Sequence, residues 1–191
     1  MADADVTTRQ ASAARTRLAM INAGLALAER TGLAGLSINL LVDEAQVSKG
    51  TFFHHFGDRA SYLIALHREF HDRLLSEIER VTAGMTPGRE RLIKSANTYL
   101  DGCLRDRGVR ALLLEARAEP AITEEIGARN ASTARMMEAD FKAMRWRHPL
   151  QCAQLWIGMT AEAALLELSA GERSPAVRST LAAFTQVARA D

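Results

Sequence analysis

The sequence predicts an all-α fold of about nine helices, on three observations. Apolar residues make up 48% of the 191 residues but aromatics only 5%, so Ala and Leu, both good helix formers, must carry the core. Apolar side chains recur at helical spacing in block after block, with only weak period-2 alternation. The four prolines, Pro87, Pro120, Pro149 and Pro175, each open a helical pattern rather than interrupt one.

The elements follow in order. Residues 1–12 are polar and lack an apolar stripe, so a disordered arm is expected there. A first helix is expected over about Ala13–Arg30, with Met20, Ile21, Leu25, Leu27 and Ala28 on one face and Gly32 ending it. Ser37 caps a second helix, Ile38–Ala45, with Leu40, Leu41 and Val42 as its buried side. Gln46-Val47 makes a tight turn into a third helix over about Ser48–His54, which Phe56-Gly57 breaks. Asp58 caps a fourth helix, which runs to about Val81 and carries Tyr62, Leu63, Leu66, Phe70 and Leu74 inward.

The second half repeats this logic at greater length. Thr86-Pro87 and Ser174-Pro175 read as a cap followed by a first-turn proline. Leu92, Ala96, Tyr99, Leu100 and Cys103 form one stripe, and Gly108 separates it from a short Leu112–Leu114 block. Ile122, Ile126, Met137, Phe141 and Met144 form the next stripe. Residues 150–168 are apolar nearly all round, which predicts a helix covered on more than one face. A last helix carries Val177, Leu181, Phe184 and Ala188. The domains read as 13–58 and 59–191, after the arm.

Composition excludes several function classes. No stretch of about 18 uncharged apolar residues exists to span a membrane. The polar start lacks the apolar core of a secretory signal, so the cytoplasm is the expected location. Cys103 and Cys152 are far apart in apolar contexts and read as buried, reduced thiols. No glycine-rich phosphate loop and no nucleophile with its base can be named, so no catalytic residue, cofactor or metal is expected. His67 and His71 stand at i,i+4, a spacing that can ligate zinc, but no nearby Cys or third His completes a set, and two solvent-facing or packing histidines are favoured.

Charge is quiet. The net charge is +1, and residues 1–60 hold six basic and six acidic side chains. Any attraction for nucleic acid must come from arrangement, with Arg9, Arg15, Arg17, Lys49 and Arg59 brought toward one surface.

The most specific feature is the tract Val47-Ser48-Lys49-Gly50-Thr51-Phe52-Phe53-His54-His55-Phe56. It follows a Ser-capped apolar helix by one tight turn, the arrangement of a helix-turn-helix, whose second helix can enter the DNA major groove. Phe52 and Phe56 read as core. Phosphate contact is expected of Ser37 at its helix N-terminus, Thr51, His55 and Arg59. Base reading is expected of Asn39, Lys49 and His54, with Ser48 suited to either role. Gly50 lets the backbone approach the duplex closely. The competing reading is that these residues merely cap and solvate a small helical domain.

Residues from about 15 to 66 resemble the N-terminal domain of the TetR family of bacterial repressors. The family pattern is a helix ending in Gly, a Ser/Thr-capped short helix, then Gly-Val-Ser-x-Gly-Thr-Leu-Tyr-x-His-Phe and a Lys-bearing helix start. Here Gln46 stands for the turn glycine, Phe53, counted with the residues expected to contact DNA, for the tyrosine whose hydroxyl reaches a phosphate, and Arg59 for the lysine. Leu40 and Val42 replace a polar and a small residue, and Ala28 replaces an aromatic.

The resemblance implies a larger helical C-terminal domain that binds a small, apolar effector and dimerises. Cys103, Glu115, Met137, Phe141, Trp156 and Met159 are its candidate ligand residues, with Met136, Met144, Trp146 and Arg117 beside them. It also implies that the last two helices of each protomer pair across a two-fold axis, with Trp156 and Ala163 at that interface. Two recognition helices then stand about 34–36 Å apart on a palindromic operator. The function implied is a ligand-responsive repressor binding double-stranded DNA as a homodimer. The alternative is a helical small-molecule-binding or scaffolding protein that has lost DNA binding.

Overall fold

The computed structural model describes residues 2–115 and 120–186. Those residues form nine α-helices: α1 (Ala2–Gly35), α2 (Ile38–Glu44), α3 (Lys49–Phe56), α4 (Arg59–Thr82), α5 (Arg89–Arg105), α6 (Arg107–Glu115), α7 (Pro120–Ala143), α8 (Pro149–Ala170) and α9 (Pro175–Ala183). A 3₁₀ turn, Phe184–Gln186, follows α9, and there are no strands among the described residues. Arg117 and Ala188 lie outside the described residues.

Several boundaries differ from the sequence expectation. Residues 2–12 are continuous with α1 instead of forming a separate arm, because no Gly or Pro interrupts them. The regular part of α1 ends at Gly32, whose φ of 61° and ψ of −169° break the helix where a side chain would be strained. Helix α3 runs two residues beyond His54, because Phe52 and Phe56 are both buried at i,i+4 and Gly57, at φ 75°, is the first residue that ends it. Gly88, and not Thr86, is the N-cap of α5. Ser174 caps α9 as expected, accepting from the Val177 N–H at 3.3 Å.

Gly108 is not a separator. The break falls at Asp106, and Gly108 lies inside α6. Its reason is packing: a Cβ there would stand 2.5 Å from Glu29 Cα and 3.1 Å from the Ala28 carbonyl oxygen, both on α1. Leu40 also departs from expectation, at 46% exposure, while Leu41 and Val42 are buried. Three consecutive helical residues span about 200° of arc, so one must leave the core face.

Packing divides the chain into two units, Met1–Phe70 with Gly108–Ile122, and His71–Arg107 with Thr123–Asp191. The first unit thus extends past residue 58, and α4 runs through the division. Its core is built from Met20, Ile21 and Leu27 of α1, Leu41 and Val42 of α2, Phe52 and Phe56 of α3, and Tyr62, Leu63 and Leu66 of α4.

In the second unit, α5 packs on α8 and α8 on α9, around Leu92, Leu100, Cys103, Ala153, Trp156, Ala164 and Leu181. Two buried carboxylates tie it together. Asp140 of α7 accepts from Arg91 Nε at 2.7 Å and Nη2 at 2.8 Å, and from the Gly88 N–H. Glu167 of α8 accepts from Arg178 Nε at 2.7 Å and Nη2 at 2.8 Å. Burial alone would raise the Glu167 carboxyl, but Arg178 and the Ser174 N–H hold it below its ordinary range.

Helix α8 buries a single stripe: Ala153, Trp156, Thr160, Ala163, Ala164 and Glu167. On its other side Leu155 is 69% exposed and Leu166 52% exposed. The all-round burial expected of this helix is therefore not met within one chain. Trp156 and Ala163, placed at a subunit interface by the sequence reading, lie inside the protomer instead.

Candidate nucleic-acid interface

Helices α2 and α3 are joined by Ala45–Ser48. The turn closes through Val47 N–H to the Val42 carbonyl at 2.9 Å and Gln46 N–H to the Asp43 carbonyl at 3.2 Å. Gln46 adopts φ 53°, the left-handed region that the glycine of the motif would occupy without strain. Ser37 Oγ accepts from the Leu40 N–H at 3.2 Å and fixes the start of α2. Ser48 Oγ does the same for α3, accepting from the Thr51 N–H at 3.0 Å and bonding the Thr51 hydroxyl at 2.9 Å. Each cap satisfies one of the first N–H groups and leaves others to face a phosphate.

Helix α3 has two sides. Phe52 and Phe56 point into the unit, where Tyr62 meets them at ring-centroid distances of 5.3 and 4.9 Å. Ser48, Lys49, Gly50, Phe53 and His54 are exposed, and Thr51 and His55 are half-buried. Lys49 and His54 are thus turned outward, as a reading helix requires. Phe53 carries its ring on the same side at 47% exposure. Asn39 is exposed on α2, and Arg59 is half-buried as the first residue of α4. All ten residues expected to contact DNA therefore belong to one compact unit and keep solvent access.

The local electrostatics favour an anion. Arg17 of α1 lies over the Phe56 ring, 4.9 Å from its centroid, beside the end of α3. Partial burial, then His54 and Arg17, lower the His55 pKa below its ordinary value. The same causes bias His55 toward its neutral, hydrogen-bonding form. Asp58 accepts from the Ser61 N–H at 2.7 Å, a bond that holds its carboxyl below the usual range and its charge at the start of α4. Glu44 pairs with Arg30 at 2.8 Å.

Sequence reasoning missed the support behind this surface. Tyr62 donates from its hydroxyl to the Met20 carbonyl at 3.0 Å, and burial raises its pKa. The hydroxyl crosses α1 over Gly24, where a Cβ would overlap it. A glycine in the middle of an apolar helix was the signal available.

The candidate ligand residues are placed as follows. Cys103 of α5, Phe141 of α7 and Trp156 of α8 are buried in the second unit, and Met137 and Met159 are half-buried there. Met136 is 46% exposed and does not line an interior. Glu115 is an exposed residue of α6 in the first unit. The Trp156 indole Nε1 is sealed from solvent with no acceptor among the described residues. His67 is buried, His71 stacks on Tyr99 at 6.4 Å, and no three metal-ligating side chains gather among the described residues. No described helix is long and apolar enough to cross a membrane.

Comparison with known proteins places this geometry. Residues 20–66 match the family model of the bacterial regulatory proteins of the tetR family. A transcriptional regulator from Rhodococcus sp. Rha1 superposes with a TM-score of 0.74 at 20% identity, covering 89% of this chain and 94% of that one. The multidrug binding protein EbrR, solved with imidazole, gives 0.70 at 20% identity, covering 91% and 97%. Reduced NemR of E. coli gives 0.70 at 18% identity, covering 90% and 95%. At these identities the superpositions establish the fold, and no curated protein is significantly similar in sequence. Residues 20–66 are a tetR-family helix-turn-helix domain, in a chain that shares the fold of these solved structures over about nine-tenths of its length.

Proposed function

We propose that the protein is a DNA-binding transcriptional regulator that works as a ligand-responsive repressor and binds its operator as a homodimer in the cytoplasm. One observation carries the DNA reading: α3 stands on Phe52 and Phe56 and presents Lys49, Gly50, Phe53 and His54 outward. Lys49 suits guanine O6 and N7, and Asn39 suits adenine. The Phe53 ring, lacking a hydroxyl for phosphate, offers apolar contact to a thymine methyl. Ser37, Thr51, His55 and Arg59 set the register on the backbone. The chain is on this reading a binder and not an enzyme.

Dimerisation is supported by the outer side of α8. Leu155 and Leu166 are eleven residues apart, which returns to the same helix face, and Phe184 after α9 is half-exposed. A second copy would cover this apolar side, as a two-fold interface does. The effector reading is supported by Trp156, whose buried N–H has no acceptor among the described residues, in the same unit as the adaptable Met137 and Met159. An effector shifts DNA affinity only by its differential affinity for two conformers.

The test is a DNA-binding titration with the protein's own upstream DNA. Lys49→Ala is expected to weaken the specific complex and relax base preference at its contact, by about 1–3 kcal/mol. An unchanged sequence profile would remove Lys49 from base reading and, with it, the assigned orientation of α3.

A further inference from the structure

Among the described residues, the two buried carboxylates Asp140 and Glu167 are held by the same edge of arginine. Arg91 holds Asp140 through Nε and Nη2, and Arg178 holds Glu167 through Nε and Nη2. Arg110, on α6, is the exception. It is 2% exposed, and its Nε and Nη2 are sealed from solvent with no acceptor among the described residues. Glu29 of α1, which reaches α6, accepts instead from the Val109 N–H at 3.2 Å. A buried guanidinium edge whose two N–H donors find no acceptor is costly, and such an edge is well matched to an anion.

We propose that Arg110 is the anchor of a small-molecule site, and that the ligand is an apolar monocarboxylic acid. The carboxylate follows from the free edge: two parallel N–H donors match two carboxylate oxygens, as Asp140 and Glu167 demonstrate in the same molecule. The apolar body follows from burial. An acid must be stripped of water to reach nitrogens this enclosed, and hydrocarbon burial offsets that cost. The inorganic anions that suffice at an exposed helix start have no such compensation.

The site lies in the first unit, apart from Trp156, Met137 and Met159 in the second, so it goes beyond that effector reading; it rests on the ligand-responsive function for its biological meaning, but as a site it stands on Arg110 alone. Helix α6 also meets α1 at Gly108 inside the unit that holds the helix-turn-helix, so an acid bound here lies within the DNA-binding unit.

Thermal melting and calorimetry of the full chain test it, with octanoate and benzoate as probes. Octanol, octylamine and sulfate at matched ionic strength are the controls. One or both acids are expected to raise the melting temperature and bind, while the three controls do not. Arg110→Met is expected to melt at or above wild type without ligand, since a buried unpaired charge is gone, and to bind the acids about 100-fold more weakly. Arg110→Lys, which keeps the charge without the fork, is expected to fall between.

Equal stabilisation by octanol, retention of acid binding in Arg110→Met, or no response to either acid would each overturn the proposal. So would an Arg110→Met protein less stable than wild type without ligand, because the arginine would then be structural. DNA release is read separately. Acid binding without release keeps the site and removes its effector role, whereas release by another compound with no acid binding does the reverse.

Discussion

The recognition helix is held from behind, and Gly24→Ala measures how firmly. The added methyl would overlap the Tyr62 hydroxyl and stand 2.9 Å from Tyr62 Cζ and 3.1 Å from Leu66 Cδ1. Both residues are almost fully buried, so neither has free space to enter. Helix propensity alone favours Ala over Gly by about 1 kcal/mol. Against it stand about 1–3 kcal/mol for overpacking and about 1–3 kcal/mol for a buried hydroxyl torn from the Met20 carbonyl. The sum is a loss of about 1–5 kcal/mol, centred near 3. For a chain of this size that lowers the melting temperature by about 6–12 °C.

A double-mutant cycle with Tyr62→Phe isolates the cause. Tyr62→Phe keeps the ring against Phe52 and Phe56 and loses one hydrogen bond, worth about 1 kcal/mol. In the Gly24→Ala background the same change is expected to stabilise, because the atom that collides is the one removed. Circular-dichroism melts of the four proteins give the coupling, expected at about 1–3 kcal/mol. DNA affinity should fall in Gly24→Ala at temperatures where it is still folded, since a displaced Tyr62 moves the rings under α3. If Gly24→Ala is as stable as wild type, the reasoning from Tyr62 is wrong. If Tyr62→Phe costs the same in both backgrounds, the clash is elsewhere.

Two further outcomes follow from the backbone and the outer surface. Gln46→Gly should stabilise the protein by about 1 kcal/mol, because a side chain at φ 53° is relieved; a melting temperature at or below wild type would show that the turn carries no strain. Leu155→Glu, at a position 69% exposed in one chain, should leave the protomer folded and weaken a dimer formed through α8 by about 100-fold, or about 2.8 kcal/mol; an unchanged sedimentation profile would place the interface on other helices.

What the sequence shows and what it conceals divide along the range of the interactions. Caps are local, and Ser37 and Ser174 were legible because the hydroxyl and the N–H it accepts from lie three residues apart, while Ser48, read as the first residue of its helix, proves to be the cap of α3. The inward side of α3 was legible because Phe52 and Phe56 share a face by spacing alone. Gly108 was misread because a helix-breaking glycine and a glycine pressed against another helix look identical from within the segment. The contact that decides it comes from Glu29, far along the chain. Arg110 follows the same rule: nothing in Val109-Arg110-Ala111 marks a guanidinium as buried, since its burial depends on elements distant in sequence. The outer side of α8 was read as covered, and a single chain leaves it open, because composition records how apolar a helix is and not which molecule covers it.

The near-neutral charge of residues 1–60 was the strongest sequence argument against a DNA surface, and its resolution lies in where the acids are engaged. Glu44 is bound to Arg30, Glu29 accepts from Val109 N–H, and Asp58 is committed to the start of α4. The exposed Arg30–Glu44 pair adds little to stability, about 0–1 kcal/mol. Its larger effect is to cancel one acid beside the surface that must meet phosphates. Lys49 is exposed at the start of α3 and is paired with no acid among the described residues, and Arg17 lies over Phe56 at the other end of the same helix. A polyanion responds to the field within about a Debye length, near 8–10 Å, and not to the sum over sixty residues. Equal counts of acid and base are therefore compatible with a positive reading face wherever the acids are spent on caps and pairs. Glu44→Gln is the variant in which that arrangement, rather than the count, would show itself in the salt dependence of binding.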